Sequence, residues 1–280
     1  MRTKYAISAL LLGMCSTMAA AEDANWSLHG FGDVSARNDY VTPRGLVVTT
    51  SGWTTQVLGG LVLVAPNGVA LTAGTWTDLN PGFSKKENTT ALNEFDYFFG
   101  IDADVVENVN VGVQYVQFIS GQPEFAFKTE RNIEFSVKYK DGGKPLSFNP
   151  YAKLFWAFSS KSSTVVLGKA GDTFDIELGA VPTYAGDGFT LSAPTWVTVG
   201  PKTYWGTGAN KDGNVGVIST GLKASTPLTF IKGGAGANVY AFGQYYHLVN
   251  DNLVAAKALL NSGDHKRDHV VFGVGLGFGF

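Results

Sequence analysis

At 280 residues the chain is long enough for one or two domains, but only 16% of it is charged, against about 25% in a usual soluble domain. Hydrophobic residues at 45% exclude a disordered chain, while 35 glycines and 13% aromatics fit many tightly packed strands better than a soluble helical protein. The net charge of −2 comes with no basic patch, since Lys85-Lys86 and Lys266-Arg267 are short and flanked by acids, so no nucleic-acid partner is expected.

The N-terminus carries Arg2 and Lys4, then a short apolar run from Tyr5 to Met14, then Ala19-Ala20-Ala21. This is the order of a secretory signal peptide, with cleavage expected after Ala21. The division is residues 1–21 as signal and 22–280 as the mature domain. A membrane helix would need about 20 apolar residues, and this run is too short. Losing the two bases takes the net charge from −2 to −4. The one cysteine, Cys15, falls in the signal, so the mature chain carries no disulfide framework and no thiolate metal site. Cys15 follows Met14, where a lipoprotein site would carry a small residue.

Downstream, a period of two places alternate side chains on opposite faces of successive strands. In the first, Trp26, Leu28, Gly30, Gly32, Val34 and Ala36 oppose Ser27, His29, Phe31, Asp33, Ser35 and Arg37. Strands are expected at 25–37, 53–65, 69–78, 92–103, 109–119, 131–141, 148–159, 172–182, 188–199, 214–224, 236–248 and 268–280. The ninth is interrupted by Pro194, which a lipid-facing strand tolerates poorly. The last shows the pattern most clearly, with Val270, Phe272, Val274, Leu276, Phe278 and Phe280 on one face and glycines dominating the other. Long connections (38–52, 79–91, 120–130, 160–171, 200–213, 249–267) alternate with short ones. Asn67-Gly68 makes a hairpin turn in which both residues tolerate positive φ. Asp251 is placed to cap a helix over 252–260 ended by Gly263, with Leu253, Leu259 and Leu260 against the mouth.

The longest later apolar stretch, Val57 to Ala65, is about half the length of a spanning helix. A membrane protein without such helices must close its backbone hydrogen bonds as a barrel. Soluble sandwiches alternate too, but bury the apolar face. The export signal, the terminal Phe280 and the low charge favour an all-β fold: a single antiparallel transmembrane β-barrel of about 12 strands with a short helix in the last long loop. The terminal aromatic is similar to the signal by which barrel assembly machinery reads outer-membrane proteins.

In this register the inner face carries Asp33, Glu94, Asp96, Asp102, Glu134, Asp175 and Glu177, with Arg37, Lys138, Lys140, Lys153 and Lys223. Lys153 is placed to face Asp175 or Glu177. Arg44 and the acids of the fourth strand, Glu94, Asp96 and Asp102, are expected at the constriction, and with Asp33, Glu134, Lys138, Lys153, Asp175 and Glu177 they make ten candidate lumen residues. Interior acids and bases either pair across strands and plug the barrel or line a conducting lumen, and both readings stand at this level. A slight excess of acids favours cations if the lumen is wet. Trp26, Trp53, Trp76, Tyr97, Tyr115, Tyr139, Trp156, Trp196, Tyr204 and Trp205 are expected in interfacial girdles.

No catalytic constellation emerges. His29 with Ser27 or Ser35 is too generic for an outer-membrane lipase, and His265 with His269 reads as a solvated loop edge rather than a metal site. The glycine runs at 233–236 and 273–279 lack the lysine and the helix of a phosphate loop. Neither a cofactor nor a metal is expected.

Residues 30–120 resemble the TorF-like group of proteobacterial porins. The resemblance lies in Asn38-Asp39-Tyr40-Val41-Thr42-Pro43-Arg44-Gly45, in Gly74-Thr75-Trp76, and in Asn93-Glu94-Phe95-Asp96-Tyr97, with Pro43 departing from the usual aromatic step. It implies a barrel and a porin, without a defined solute. The expectation is a channel in the cell outer membrane for small polar solutes, mildly cation-preferring, in contact with outer-membrane lipids and lipopolysaccharide. The alternatives are a plugged structural or adhesive barrel, and a lipid hydrolase.

Overall fold

The computed structural model describes residues 25–50, 52–82, 90–121, 129–142, 145–158, 173–206, 213–230 and 236–280. The expected signal peptide, Lys85-Lys86 and residues 233–235 of the first glycine run lie outside these residues.

The elements in chain order are β1 (Ser27–Arg37), β2 (Tyr40–Val41), β3 (Val47–Thr49), β4 (Thr54–Val64), β5 (Ala70–Leu79), β6 (Leu92–Val106), β7 (Val109–Ser120), β8 (Glu130–Tyr139), β9 (Leu146–Ser147), β10 (Pro150–Ala157), β11 (Thr173–Ala180), β12 (Thr183–Ala185), β13 (Thr190–Ser192) and β14 (Thr195–Val199). They continue with α1 (Lys202–Trp205), β15 (Val215–Pro227), β16 (Gly236–Leu248), α2 (Asp251–Leu260) and β17 (Asp268–Gly279). Each wall strand pairs antiparallel with its sequence neighbour, and β1 pairs with β17, which closes the sheet into a barrel. Among the described residues the wall has twelve strands. The expected ninth strand is the composite β13–β14. It breaks at Ala193-Pro194, where the proline cannot donate to the ladder and its carbonyl instead accepts from the Gly221 amide at 2.9 Å. The eighth breaks in the same way at Val181-Pro182 into β11 and β12.

The register follows the alternation. Val270, Phe272, Val274, Leu276, Phe278 and Phe280 are exposed on the outer face, whereas Val271 is buried inside. A charge on such an outer face costs roughly 2–4 kcal/mol at mid-depth, and the acids of this register point inward. Glycines let rings cover the sheet. Gly60 and Gly74 pair across β4 and β5, and the rings of Phe31 and Phe98 lie over them inside the barrel. A Cβ at Gly74 would also meet the Gly59 carbonyl at 2.7 Å.

The β4–β5 turn differs from the expected two-residue form. Only Gly68 takes positive φ (80°), and its amide bonds the Ala65 carbonyl at 2.9 Å. Pro66 fixes φ near −65°, which pre-sets a type I turn followed by a left-handed glycine. The expected helix is α2, but its cap is Asn250, whose side chain accepts from the Asn252 amide at 3.0 Å, and not Asp251. Leu253 is buried as expected, while Leu259 is 66% exposed and faces away, because the buried face runs through Asn252, Leu253, Ala256 and Lys257.

Candidate functional site

The long connection after β1 does not stay at the rim. It folds into the lumen as the hairpin β2–β3. Its turn repeats the proline–glycine device: Pro43 precedes Arg44, Gly45 takes φ of 89°, and the Gly45 amide bonds the Thr42 carbonyl at 2.9 Å. A Cβ at Gly45 would approach Val217 Cβ to 2.8 Å, so the turn lies hard against the inner wall. Tyr40 donates to Glu94 Oε2 at 2.7 Å and stacks on Trp76 with centroids 5.3 Å apart. Arg44 Nη1 donates to Glu130 Oε1 at 2.7 Å and to the Tyr204 hydroxyl at 3.3 Å, and its guanidinium lies over Phe118 and Phe155. Burial opposes that charge, and the Glu130 carboxylate at hydrogen-bond distance offsets part of the cost.

β1 is the first wall strand and β8, which carries Glu130, is the sixth of twelve, so the Arg44–Glu130 ion pair crosses the barrel. On the other side, Trp196 Nε1 donates to the Pro43 carbonyl at 2.9 Å. Val41 and Val47 join Trp196, Tyr204, Trp205, Val217, Leu248, Leu253, Val254 and Val271 in one apolar cluster. That cluster ties the hairpin, α1 and α2 to the inner wall at the long-loop end. Asn261 Nδ2 adds a bond to the Val47 carbonyl at 2.9 Å.

Tyr40 to Arg44 form one end of a lumen cavity of about 190 Å³. Its lining includes the carboxylates Glu94, Asp96, Asp102, Glu134 and Glu177, and the bases Arg37, Arg44, Lys138, Lys153 and Lys223. Eight of the ten candidate site residues therefore meet at one space. Asp33 and Asp175 are buried inside but are not part of its lining. Lys153 pairs with Glu177 at 3.3 Å, one of the two expected partners. Lys140 instead sits at the short-turn rim, bonded to Asp104 at 2.8 Å. Asp102 accepts from Asn110 at 2.9 Å.

Four expected girdle residues belong to the interior. Trp76 stacks with Tyr40, and Trp196, Tyr204 and Trp205 build the apolar cluster. Trp76 and Trp196 lie on the inward parity of β5 and β14, and α1 turns Tyr204 and Trp205 into the mouth. Trp26, Trp53, Tyr139 and Trp156 are exposed on the outer side as expected. Sequence reading missed Glu130, which shares the inward parity of Glu134 but lies one residue before the expected strand. It also missed Asp78, which accepts from Thr54, Gln56 and Asn93 and fills one side of the lumen.

His29 lies 3.0 Å from Ser27 Oγ at the short-turn end. His269 contacts Asp39 at 3.2 Å, and among the described residues no group of three ligands is placed to hold a metal.

A closed antiparallel wall, an apolar outer face and a charged interior define the fold of an outer-membrane-type β-barrel. The chain is similar in fold to a solved structure of the NanC porin, with a TM-score of 0.51 and 11% identity over 90% of this chain and 99% of that one. Outer membrane phospholipase A from Escherichia coli aligns at a TM-score of 0.45 and 12% identity over 89% of this chain and 91% of that one. No protein-family model matches the sequence, and no curated protein matches it.

Proposed function

We propose that the protein is an outer-membrane channel for small polar solutes, with the long-loop end facing outward and the lumen narrowed by the hairpin β2–β3. The observation that carries this reading is the charged cavity inside a closed wall, lined by five carboxylates and five bases and bounded by the hairpin. A purely structural barrel gains nothing from keeping such groups around empty space, since buried charges are costly to hold. Mild cation preference belongs to the same reading, because Glu130, Asp78, Asp33 and Asp175 add further acids behind the lining. So do export under a signal peptide removed after Ala21, contact with lipid and lipopolysaccharide, kinship with the TorF-like group, and insertion by assembly machinery that reads the exposed Phe280.

The reversal potential of the inserted protein in a salt gradient tests the selectivity. Replacing Glu94 and Asp96 with Gln and Asn is expected to shift it towards zero, and an unchanged value removes these two acids from the selectivity assignment. The apolar cluster at the long-loop end favours a second reading, a closed structural or adhesive barrel. Folded protein that never conducts, with or without the hairpin, is the result that reading requires.

A further inference from the structure

The two signs of charge in the lumen are not equally satisfied. The five bases are engaged: Arg44 by Glu130, Lys153 by Glu177, Lys223 by the Tyr240 ring 3.6 Å from its Nζ, Arg37 by Ser35 and the Phe242 ring, and Lys138 is not free either. Only Arg37 Nε is left without a partner among their buried nitrogens. The lining acids are less complete. Asp96 Oδ1, Glu134 Oε1 and Glu177 Oε2 are buried and accept no hydrogen bond. Glu134 is 6% exposed and makes no hydrogen bond or ion pair among the described residues.

Its place in the wall explains why this matters. Glu134, Phe155 and Asp175 form one row across β8, β10 and β11, and Ser136, Lys153 and Glu177 form the next. Together with Arg44 and Glu130, this patch holds four carboxylates against two bases. A buried carboxylate lacking donors is unfavourable unless something supplies them. The rings of Phe98, Phe118 and Tyr151 line the same cavity, with Arg44 already over Phe118 and Lys153 over Tyr151. The volume of about 190 Å³ far exceeds the roughly 10–15 Å³ that one water needs. An ammonium or guanidinium group entering this cavity would bring both charge and the donors that these carboxylate oxygens lack.

We propose that the lumen holds a binding site for a small organic cation, an ammonium- or guanidinium-bearing solute, anchored by Glu134 with Glu177 and Asp96 beside it. The proposal deepens the channel reading and rests on it for the route by which the solute enters. The site selects donors that carry charge, and a neutral solute of the same length leaves Glu134 as it found it.

The test is titration calorimetry on the full protein purified from membranes in detergent, with 1,4-diaminobutane as probe and 1,4-butanediol as neutral control. The diamine is expected to bind and the diol not. Glu134→Gln, which keeps the shape and breaks no existing bond, is expected to weaken the diamine by about tenfold or more. Lys140→Gln at the rim leaves binding unchanged, and heat-modifiable gel mobility shows that each variant is folded. Equal heats for diamine and diol, or wild-type affinity in folded Glu134→Gln, overturn the proposal. Conductance of the same preparations separates the two readings. A channel that conducts but binds no diamine removes the site alone. A protein that binds the diamine through Glu134 without conducting keeps the site and removes the channel.

Discussion

Arg44 and Glu130 show how a single pair fixes the geometry of the lumen. Both side chains are buried, so removing one partner leaves the other charge in a low-dielectric interior. Arg44→Met is expected to cost about 3–5 kcal/mol of hairpin anchorage. The check is limited proteolysis of folded protein, in which the variant is cut within 41–48 and the wild type resists. Glycines give a second contrast. Gly74→Ala drives a methyl into a backbone carbonyl and the Phe98 ring, with an expected loss of about 1–3 kcal/mol. Gly30→Ala meets only the tip of the Phe280 ring, which is free to swing towards lipid, and is expected to be near neutral. The temperature at which heat-modifiable mobility is lost ranks the two. The residue scale is also where sequence reading was weakest. A period of two puts Trp76 on the face of Asp78 and Trp196 on that of Ser192 and Thr198, yet their type alone suggests a girdle. What they pack against, Tyr40 and Pro43, comes from a loop far away in the chain.

At the scale of elements, the alternation located every wall strand, because each buries one face and exposes the other over eight or more residues in most cases. It located the break at Pro194 for the same reason, since a missing amide interrupts a ladder wherever it falls. The inward fold of the hairpin was not legible. Its decisive contact joins residues 86 apart, and nothing local distinguishes a loop that enters the lumen from one that leaves it. α2 closes over the hairpin and is tied at its tail by Lys257, which bonds Asp264 at 3.0 Å and the Lys266 carbonyl at 2.9 Å. The Lys266 amide, and then Lys257, hold the Asp264 carboxyl below the usual carboxylate range. A depressed carboxylate stabilises above its unfolded value, about 3.9, and loses that contribution as pH falls through the lowered value. The tail is therefore expected to stay docked between pH 7.5 and 5, with proteolysis of residues 249–267 unchanged over that range. Cleavage that rises already at pH 5 contradicts this assignment.

The whole molecule combines a wall that the sequence declares openly with a filling that it hides. Among the described residues the wall strands close into one barrel with an apolar outer face and its charges inward, and aromatic rings stand on both faces. The filling comes from one hairpin braced across the lumen, and the charged cavity lies against it. The central claim is that this space conducts and that the hairpin limits it. Single-channel conductance in a planar bilayer tests it most directly, comparing the wild type with a variant in which residues 41–48 are replaced by a short glycine–serine link. The expected result is small, stable steps for the wild type and clearly larger ones for the variant, both folded by gel mobility. Two folded but silent proteins, or equal steps from both, contradict the account.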